Sequence, residues 1–243
     1  MADRYFVETP IEGQHARLLG TEAHHLAHVM RAKPGHEVVL FDGGGAEFTA
    51  RVERVGRSEI ELAVLSRDPI DRELSVPLSL GVALPKGDRQ RWLVEKAVEL
   101  GVTRLAPLET ERGNDRMSPA VLERLRRAVI EASKQCGRNR LMEIASPQKL
   151  SEFLAADPRE AVRLLAQPGA KDCQTALDEL MGPGRTPAQV ILAVGPEGGF
   201  TKAELDLASA GGWQSVGFGP RILRVETAAV ALAAAVVMRL QRP

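Results

Sequence analysis

Two glycine-proline loops near the end of the chain carry the residues that could do chemistry. The first is Gly195–Gly199 (GPEGG) after the apolar run QVILAV, and the second is Gly217–Pro220 (GFGP), followed by RILRVET. Glycines allow positive φ or close approach of a ligand to the backbone, and prolines stiffen the loops. Two such loops at neighbouring strand ends form a slot in which backbone amides can bind the edge of a flat, largely neutral group such as adenine. A simple tight turn is the alternative for either loop taken alone.

No phosphate-binding glycine motif accompanies these loops. The chain contains neither G-x-G-x-x-G nor G-x-x-x-x-G-K-[ST]. Dinucleotide binding, P-loop triphosphate binding and a NAD-dependent dehydrogenase activity therefore lack support. The loops predict an adenosine-like ligand that is held mainly by backbone groups.

A basic segment lies in the middle of the chain. From Arg112 to Arg140 there are eight Lys or Arg against three Asp or Glu, whereas residues 1–72 hold nine against twelve. Such a cluster can neutralise phosphates even on a chain whose net charge is zero. A solvated helix face without a partner is the alternative. The basic members are Arg112, Arg116, Arg124, Arg126, Arg127, Lys134, Arg138 and Arg140.

The histidines and cysteines give little support for other chemistry. His24, His25 and His28 form H-H-x-x-H, and an i, i+4 pair can hold zinc. The sequence offers no third ligand of suitable spacing, so we expect no metal and assign these residues to packing or to contact with a partner. At Cys136 we expect a structural or partner-adjacent thiol rather than a nucleophile.

Length and composition are those of a soluble globular protein with one large or two small domains. Of the 243 residues, 44% are hydrophobic and 26% are charged. We identify no signal peptide, and the longest apolar stretch, Ala228–Met238, is too short to span a bilayer. Two cysteines offer no disulfide framework and fit a reducing compartment. These features predict a cytoplasmic protein.

The elements that must position the loops fall into two regions. Residues 1–72 contain three runs of alternating apolar and polar residues separated by glycine turns, which predicts a small antiparallel meander or barrel. Beyond residue 72, apolar runs alternate with helical patterns, which predicts an α/β fold with a mostly parallel sheet covered by helices. Thr201 and Glu204 form a T-x-x-E capping box, so the segment 195–199 is the loop before a helix.

The motifs resemble the RsmE family of small-subunit ribosomal RNA methyltransferases, which belongs to the SPOUT class. VGPEGGF followed by GPRILRVETA carries the resemblance, and RYFVE, HHLAHVMRAKPGHEVVLFDG, LPKGDR, EKAVELGV and EASKQCGRNR extend it over the whole chain. It implies a PUA-like RNA-binding β-barrel at 1–72 and a trefoil-knotted SPOUT domain at 73–243, with helices on both faces of the sheet and the knot at about 190–243. It also implies a homodimer, S-adenosyl-L-methionine as cofactor, and N3 methylation of one uridine near the 3′ end of 16S rRNA.

The resemblance assigns the cofactor to both loops and their flanks. Val225 stands where the family usually has threonine, so a hydroxyl role is absent there or is filled by another group. The nearly all-apolar helix 228–240 suits a segment buried in the knot and against the partner subunit; a core helix in a monomer is the alternative. The expected cofactor contacts are Gln167, Val194, Gly195, Pro196, Glu197, Gly198, Gly199, Phe218, Gly219, Pro220, Ile222, Leu223, Arg224 and Thr227.

Three charged residues beside the loops are the candidates for catalysis. N3 of uracil is a poor nucleophile until its proton leaves, so the implied reaction needs a base, a cation near the carbonyl oxygens, or both. Arg224 is predicted to stabilise the uracil anion or to bind an adjacent phosphate; a salt bridge to Glu226 or Glu197 is the alternative. Glu226 and Glu197 are the candidate bases, or carboxylates that only stabilise a helix N-terminus. RNA contacts are expected from Arg4, His25, Arg31, Lys86, Arg89, Arg112, Arg138 and Arg140.

Two other functions stay open at this point. A SPOUT methyltransferase with another RNA target atom would keep the same fold and cofactor. A non-catalytic RNA-binding or ribosome-assembly factor would have no need of intact Gly-Pro loops and would not bind S-adenosyl-L-methionine.

Overall fold

The structure is a computed structural model that describes residues 3–113, 117–155, 160–182 and 185–241. The chain forms two compact units. Unit 1 comprises the chain up to Glu73 together with Ile130–Leu141, and unit 2 comprises Leu74–Val129 and the chain from Met142 onward. The segment Ile130–Leu141 therefore belongs to unit 1, although it lies far beyond residue 72.

Unit 1 is built on a five-stranded sheet. Its strands are β1 (Arg4–Phe6), β2 (His15–Leu19), β3 (Glu37–Phe41), β4 (Glu47–Val55) and β5 (Glu59–Asp68). They are ordered β1-β3-β4-β5-β2, with β1 parallel to β3 and the other pairs antiparallel. The predicted antiparallel meander is confirmed, because β3 pairs antiparallel with β4 and β4 with β5. Alternating residues of these strands, among them Leu40, Phe48 and Leu62, belong to one apolar core.

A short helical segment joins β2 to β3. It consists of α1 (Gly20–His24) and one π-helical turn (His25–Val29). Ala23 and Leu26 are buried in the core of unit 1, whereas His24, His25 and His28 are exposed. The two apolar residues fix the segment on the sheet, and the histidines remain on its solvent side.

Unit 2 contains a seven-stranded sheet in which every pair is parallel. The strands are β6 (Leu78–Val82), β7 (Arg104–Glu109), β8 (Glu143–Ile144), β9 (Gln148–Lys149), β10 (Ala161–Asp172), β11 (Gln189–Val194) and β12 (Gln214–Gly217). Their order is β12-β10-β11-β6-β7-β8, and β9 pairs with β7 outside this path. The predicted α/β class with a mostly parallel sheet is confirmed.

Helices cover the sheet of unit 2 on both faces. The helices that begin in unit 2 are α2 (Asp88–Glu99), α3 (Pro119–Cys136), α4 (Leu150–Ala155), α5 (Cys173–Leu180), α6 (Lys202–Ala210) and α7 (Val225–Leu240). In β11, Ile191 packs in one cluster with Phe153 of α4 and Ala208 of α6. Leu192 points to the opposite face by strand alternation and is also buried. Because α7 packs against β11 and α2, it covers that second face.

The last helix, α7, is almost entirely apolar, as its sequence suggests. Val225, Leu232 and Val236 are buried, while Met238 near its end is 64% exposed. No helix within the described ranges is both long enough and apolar enough to cross a membrane.

The long helix α3 begins in unit 2 and ends in unit 1. Its start follows a local signal, because Ser118 Oγ accepts the Val121 N–H at 3.4 Å and Pro119 occupies the first helical position. Beyond its end, Gly137 has φ +83°, and the chain then bonds to unit 1 through the Gly45 N–H, which donates to the Asn139 carbonyl at 3.2 Å. Such contacts between distant parts of the sequence explain why Ile130–Leu141 belongs to unit 1, although the residues on either side of it in the sequence belong to unit 2.

Candidate functional site

The two glycine-proline loops line one slot in unit 2. The predicted residues that line it are Gln167, Val194, Gly195, Pro196, Glu197, Gly199, Phe218, Ile222 and Leu223. Five others belong to the same segments but are not among its lining residues: Gly198, Gly219, Pro220, Arg224 and Thr227. Eight further residues that line the slot were not predicted from the sequence: Ala166, Pro168, Phe200, Val216, Gly217, Arg221, Val225 and Ala228.

The two loops do not come from neighbouring strands, in contrast to the prediction. β10 lies between β11 and β12, and its Leu165 pairs with Ala193 on one side and with Ser215 on the other. The pairing of β10 with β11 ends at Ala166, and the next residues of β10, Gln167 and Pro168, line the slot between the two loops. A signal was present in the sequence, because AVRLLAQ ends at a proline just as QVILAV ends at a Gly-Pro pair. The strand order was not readable from that signal.

Glycines are required at two points of the slot because neighbouring atoms approach the backbone closely. A Cβ on Gly217 would lie 2.9 Å from the Ala170 carbonyl oxygen and 3.3 Å from that of Gln167. A Cβ on Gly195 would lie 3.0 Å from the Phe200 ring. The contacts at Gly217 are with backbone atoms, which cannot rotate away, so that position is the stricter of the two.

The slot suits an adenosine-like ligand. Backbone groups of both loops line it, and Gln167 adds one side-chain amide. The Gln167 Oε1 atom is buried and has no hydrogen-bond partner within the described residues. A buried polar atom of this kind is costly unless it is paired. The exocyclic amine of an adenine ring is a donor that would satisfy it, so these residues fit the adenosyl part of S-adenosyl-L-methionine.

A larger groove of about 760 Å³ opens beside the slot and shares Pro196 and Glu197 with it. The ends of β6 and β7, the first turn of α2 and the start of α3 form its walls. Its cationic lining residues are Lys86, Arg89, Arg112 and Arg124. The predicted RNA contacts Lys86, Arg89 and Arg112 are thus brought together in one groove.

Two of the arginines in the groove are held by hydrogen bonds. Arg112 donates through Nη1 to the Gly198 carbonyl at 2.8 Å, which links the groove to the first glycine loop. Arg124 donates to Gln90 Oε1 at 3.1 Å. Neither bond neutralises the guanidinium charge. Two carboxylates, Glu109 and Glu197, also line the groove, so the four cations leave it with an excess of positive charge that can bind anionic groups.

Arg89 lies between the two candidate bases. Its Nη2 is 3.6 Å from Glu197 Oε1, and its Nη1 is 3.7 Å from Glu226 Oε2. The two carboxylates differ in burial, since the side chain of Glu197 is 61% exposed and that of Glu226 is 9% exposed. Glu197 lines both cavities, whereas Glu226 lies in the first turn of α7 and lines neither.

Arg224 lies on the surface at the N-cap of α7. In the part of the chain that the structure describes, it forms no salt bridge with Glu226 or Glu197; both carboxylates instead face Arg89. Arg224 therefore adds an exposed positive charge at the end of α7 where the helix dipole is also positive.

Two arginines of unit 1 that were predicted to contact RNA are paired with carboxylates. Arg138 is 4% exposed and its Nε donates to Glu73 Oε1 at 3.0 Å, with a second bond from Nη2 to Oε2. Arg4 forms an ion pair with Glu47 and donates to Asn139 Oδ1 at 2.7 Å. This differs from the predicted phosphate contacts. The reason is that Ile130–Leu141 packs into unit 1, where a buried guanidinium must be paired.

The other predicted RNA contacts of unit 1 are exposed. Arg140 is exposed, and its guanidinium lies so close to Gly45 that a Cβ there would be 2.8 Å from Cζ. His25 and Arg31 are also exposed. Arg116 of the basic segment lies outside the described residues.

The described residues contain no metal site, and burial disfavours the thiolate of Cys173. Within the described ranges, no group of three His, Cys, Asp or Glu could hold a metal ion. The His24 and His28 rings contact each other at a tilt of 46°, with their centroids 4.7 Å apart. Burial, with a smaller contribution from Asp172, raises the pKa of the Cys173 thiol to about 11. A thiol with that pKa is protonated at neutral pH and is a poor nucleophile.

Comparisons with known proteins agree with this arrangement. Residues 72–237 match the model of an RNA methyltransferase domain, and residues 18–65 match that of an RNA methyltransferase PUA domain. The chain is 37% identical over 224 residues to ribosomal RNA small subunit methyltransferase E of Synechocystis, an alignment that covers 89% of this chain and 71% of that protein.

Solved structures show the same similarity over almost the whole chain. Ribosomal RNA small subunit methyltransferase E from Neisseria gonorrhoeae, solved with S-adenosyl methionine bound, is 32% identical, with a TM-score of 0.87 and 98% of each chain covered. A methyltransferase from Legionella pneumophila, solved in complex with its cofactor SAM, is 31% identical, with a TM-score of 0.85 and with 99% of this chain and 97% of that one covered.

Proposed function

Because the chain belongs to the family of ribosomal RNA small subunit methyltransferase E, we propose that it is an S-adenosyl-L-methionine-dependent methyltransferase of 16S rRNA in the small ribosomal subunit. We further propose that the acceptor is N3 of one uridine near the 3′ end of that RNA. One observation carries the proposal: the glycine slot and the cationic groove meet at Pro196 and Glu197. A methyl donor and an anionic RNA substrate would therefore be held next to one another.

The slot residues have the properties needed to hold the cofactor. The loop backbones at 195–199 and 217–223 would surround the adenosyl group, and the Gln167 amide would pair with its exocyclic amine. When bound, S-adenosyl-L-methionine supplies an electrophilic methyl group on a sulfonium. The apolar lining residues Phe200, Val216 and Val225 exclude water from the slot.

The charged residues around the slot have separate roles in the proposed reaction. Loss of the N3 proton places negative charge on the uracil carbonyl oxygens. Arg224 and the N-terminus of α7 present positive charge that would stabilise this anion. Glu197 is the carboxylate that can reach the substrate, because it lines both cavities and is 61% exposed. We assign proton acceptance at N3 to Glu197.

The remaining expectations from the family are proposed with the function. Unit 1 would contribute to RNA binding, through His25, Arg31 and Arg140, which are exposed. The trefoil knot at about 190–243 and the homodimer are part of the same proposal. Exposed apolar side chains of unit 2, among them Ile222 at 83% and Met238 at 64%, support an interface. An enzyme with this substrate would act where small subunits are assembled, in the cytoplasm.

The test is nucleoside mass spectrometry of rRNA from unmodified small subunits incubated with the protein and S-adenosyl-L-methionine. New N3-methyluridine is expected, and Arg224→Ala should lower its rate of formation by at least about 100-fold, as removal of one oxyanion-stabilising donor does elsewhere. Cofactor affinity, measured by calorimetry, should stay within a few-fold because Arg224 does not line the slot.

Other outcomes would change the proposal in defined ways. A different methylated nucleoside would keep the cofactor and reject N3 of uracil as the acceptor. Equal loss of turnover and cofactor binding in Arg224→Ala would reject its catalytic role. The absence of any heat of cofactor binding would leave a non-catalytic RNA-binding protein.

A further inference from the structure

Arg89 is the cation that connects the groove to the base of α7. It follows Asp88 in the first turn of α2, and it lines the groove with Lys86 and Arg112. Among residues 3–113, 117–155, 160–182 and 185–241, its side chain forms ion pairs beyond 3.5 Å but no hydrogen bond. Its guanidinium donors are therefore oriented by charge while they remain able to bond to a ligand.

Glu226 is the partner that orients it. Its side chain is 9% exposed, and Oε2 is buried without a hydrogen-bond partner in the described chain. The same atom is the one that lies 3.7 Å from Arg89 Nη1. A buried carboxylate interacts with a nearby cation more strongly than an exposed one, because water screens it less. The exposed Glu197, at nearly the same distance, should orient Arg89 much less.

Glu226 also lacks access to the reacting groups. It lines neither the slot nor the groove and its side chain is only 9% exposed, which disfavours a general base, since a base must contact the proton at N3 of a bound uracil. Its position in the first turn of α7 further stabilises its negative charge. A carboxylate held in this way is suited to positioning another residue.

We propose that Glu226 is a positioning residue: its buried carboxylate holds the Arg89 guanidinium in the groove, where Arg89 binds a phosphate of the substrate RNA. The inference rests on the proposed function, because it takes RNA as the occupant of the groove. A phosphate is the anion that fits best, since four cations, Lys86, Arg89, Arg112 and Arg124, line the groove against two carboxylates, Glu109 and Glu197.

The experiment is a double-mutant cycle on Glu226→Gln and Arg89→Ala, with unmodified small subunits as substrate. Each single variant should raise the KM for small subunits about 10-fold and leave kcat within about threefold, because one phosphate contact is lost. The double variant should be no worse than Arg89→Ala alone, because Glu226 acts only through Arg89. The slope of log affinity against log salt should fall by about 0.7–0.9 in each variant.

Two matched variants separate positioning from structure. Glu197→Gln removes the other carboxylate beside Arg89, which is exposed. Whatever this variant does to turnover, its coupling with Arg89→Ala should change the affinity for small subunits less than about twofold. Glu226→Asp keeps the charge and should recover most of the lost affinity. If Glu226→Gln does not fold, as judged by circular dichroism, Glu226→Asp is combined with Arg89→Ala instead, and any loss of affinity beyond that of Arg89→Ala alone rejects the positioning role.

The failure of the inference and the failure of the proposed function can be told apart. If Glu226→Gln lowers kcat at unchanged KM, or if its effect adds to that of Arg89→Ala, the positioning role is rejected. If the unaltered protein methylates no rRNA, the proposed function is rejected, and direct binding of the same small subunits still measures the coupling between the two residues. Unchanged binding in both single variants then rejects the inference as well.

Discussion

Replacing Arg138 by alanine is expected to destabilise unit 1 by about 3–5 kcal/mol, because it leaves a buried carboxylate without its partner. Arg138 contacts both oxygens of Glu73, and the two side chains are only 5% and 12% exposed. Water can reach Glu73 partly, so the lower end of the range is the better estimate. A surface arginine that binds phosphate would instead cost little stability when it is removed.

Hydrogen exchange measured by mass spectrometry tests this locally. A loss of about 3 kcal/mol should speed exchange in β3, β4 and the segment Ile130–Leu141 by about 100-fold or more, since each 1.4 kcal/mol is a factor of ten. The matched control is Arg51→Ala, which breaks a 3.0 Å pair with Glu37 on the surface of the same unit. That pair is half exposed and should contribute less than about 1 kcal/mol.

One result would refute the reasoning about Arg138. If Arg138→Ala exchanges no faster than Arg51→Ala, and if it lowers the salt slope of RNA binding by about one, Arg138 is a phosphate ligand. The double variant Glu73→Gln/Arg138→Met separates pairing from packing, because it removes both charges. It should recover much of the stability that Arg138→Ala loses.

Two further predictions follow from the same structure. Burial raises the pKa of Glu47, but hydrogen bonds from Arg72 and Arg4 outweigh this and hold the pKa below its usual 4.5. The stabilisation by the Glu47 carboxylate should therefore be complete above about pH 4.5 and be lost as pH falls through the folded pKa, so urea unfolding of Glu47→Gln should converge with the unaltered protein in acid. Separately, Gly217→Ala should weaken cofactor binding at least about 10-fold in calorimetry, because the new Cβ would lie 2.9 Å from a backbone oxygen. Gly211→Ala, with ordinary 3.4 Å contacts, should leave it unchanged.

Local signals in the sequence determined most elements of this protein. The Thr201–Glu204 capping box is present as predicted, since both of its hydrogen bonds join residues three apart. Periodicity is also a local signal, because side-chain direction repeats every two residues in a strand and about every 3.6 residues in a helix. Alternating runs before residue 72 predicted an antiparallel sheet, and strands alternating with helices beyond it predicted a parallel sheet. The glycine loops were also visible, because strict backbone requirements leave glycine at fixed positions.

The tertiary structure alone decided which of these elements meet. The insertion of β10 between β11 and β12 places Gln167 at the centre of the slot, and strand order leaves no trace in the local pattern. Arg138 looks like a surface cation in the sequence, but its partner Glu73 lies 65 residues away, and only packing of the two segments makes the pair buried. Likewise, Arg89 meets Glu226 only because α2 packs on α7. Burial and charge pairing depend on contacts between distant segments, and a single sequence records the residues but not those contacts.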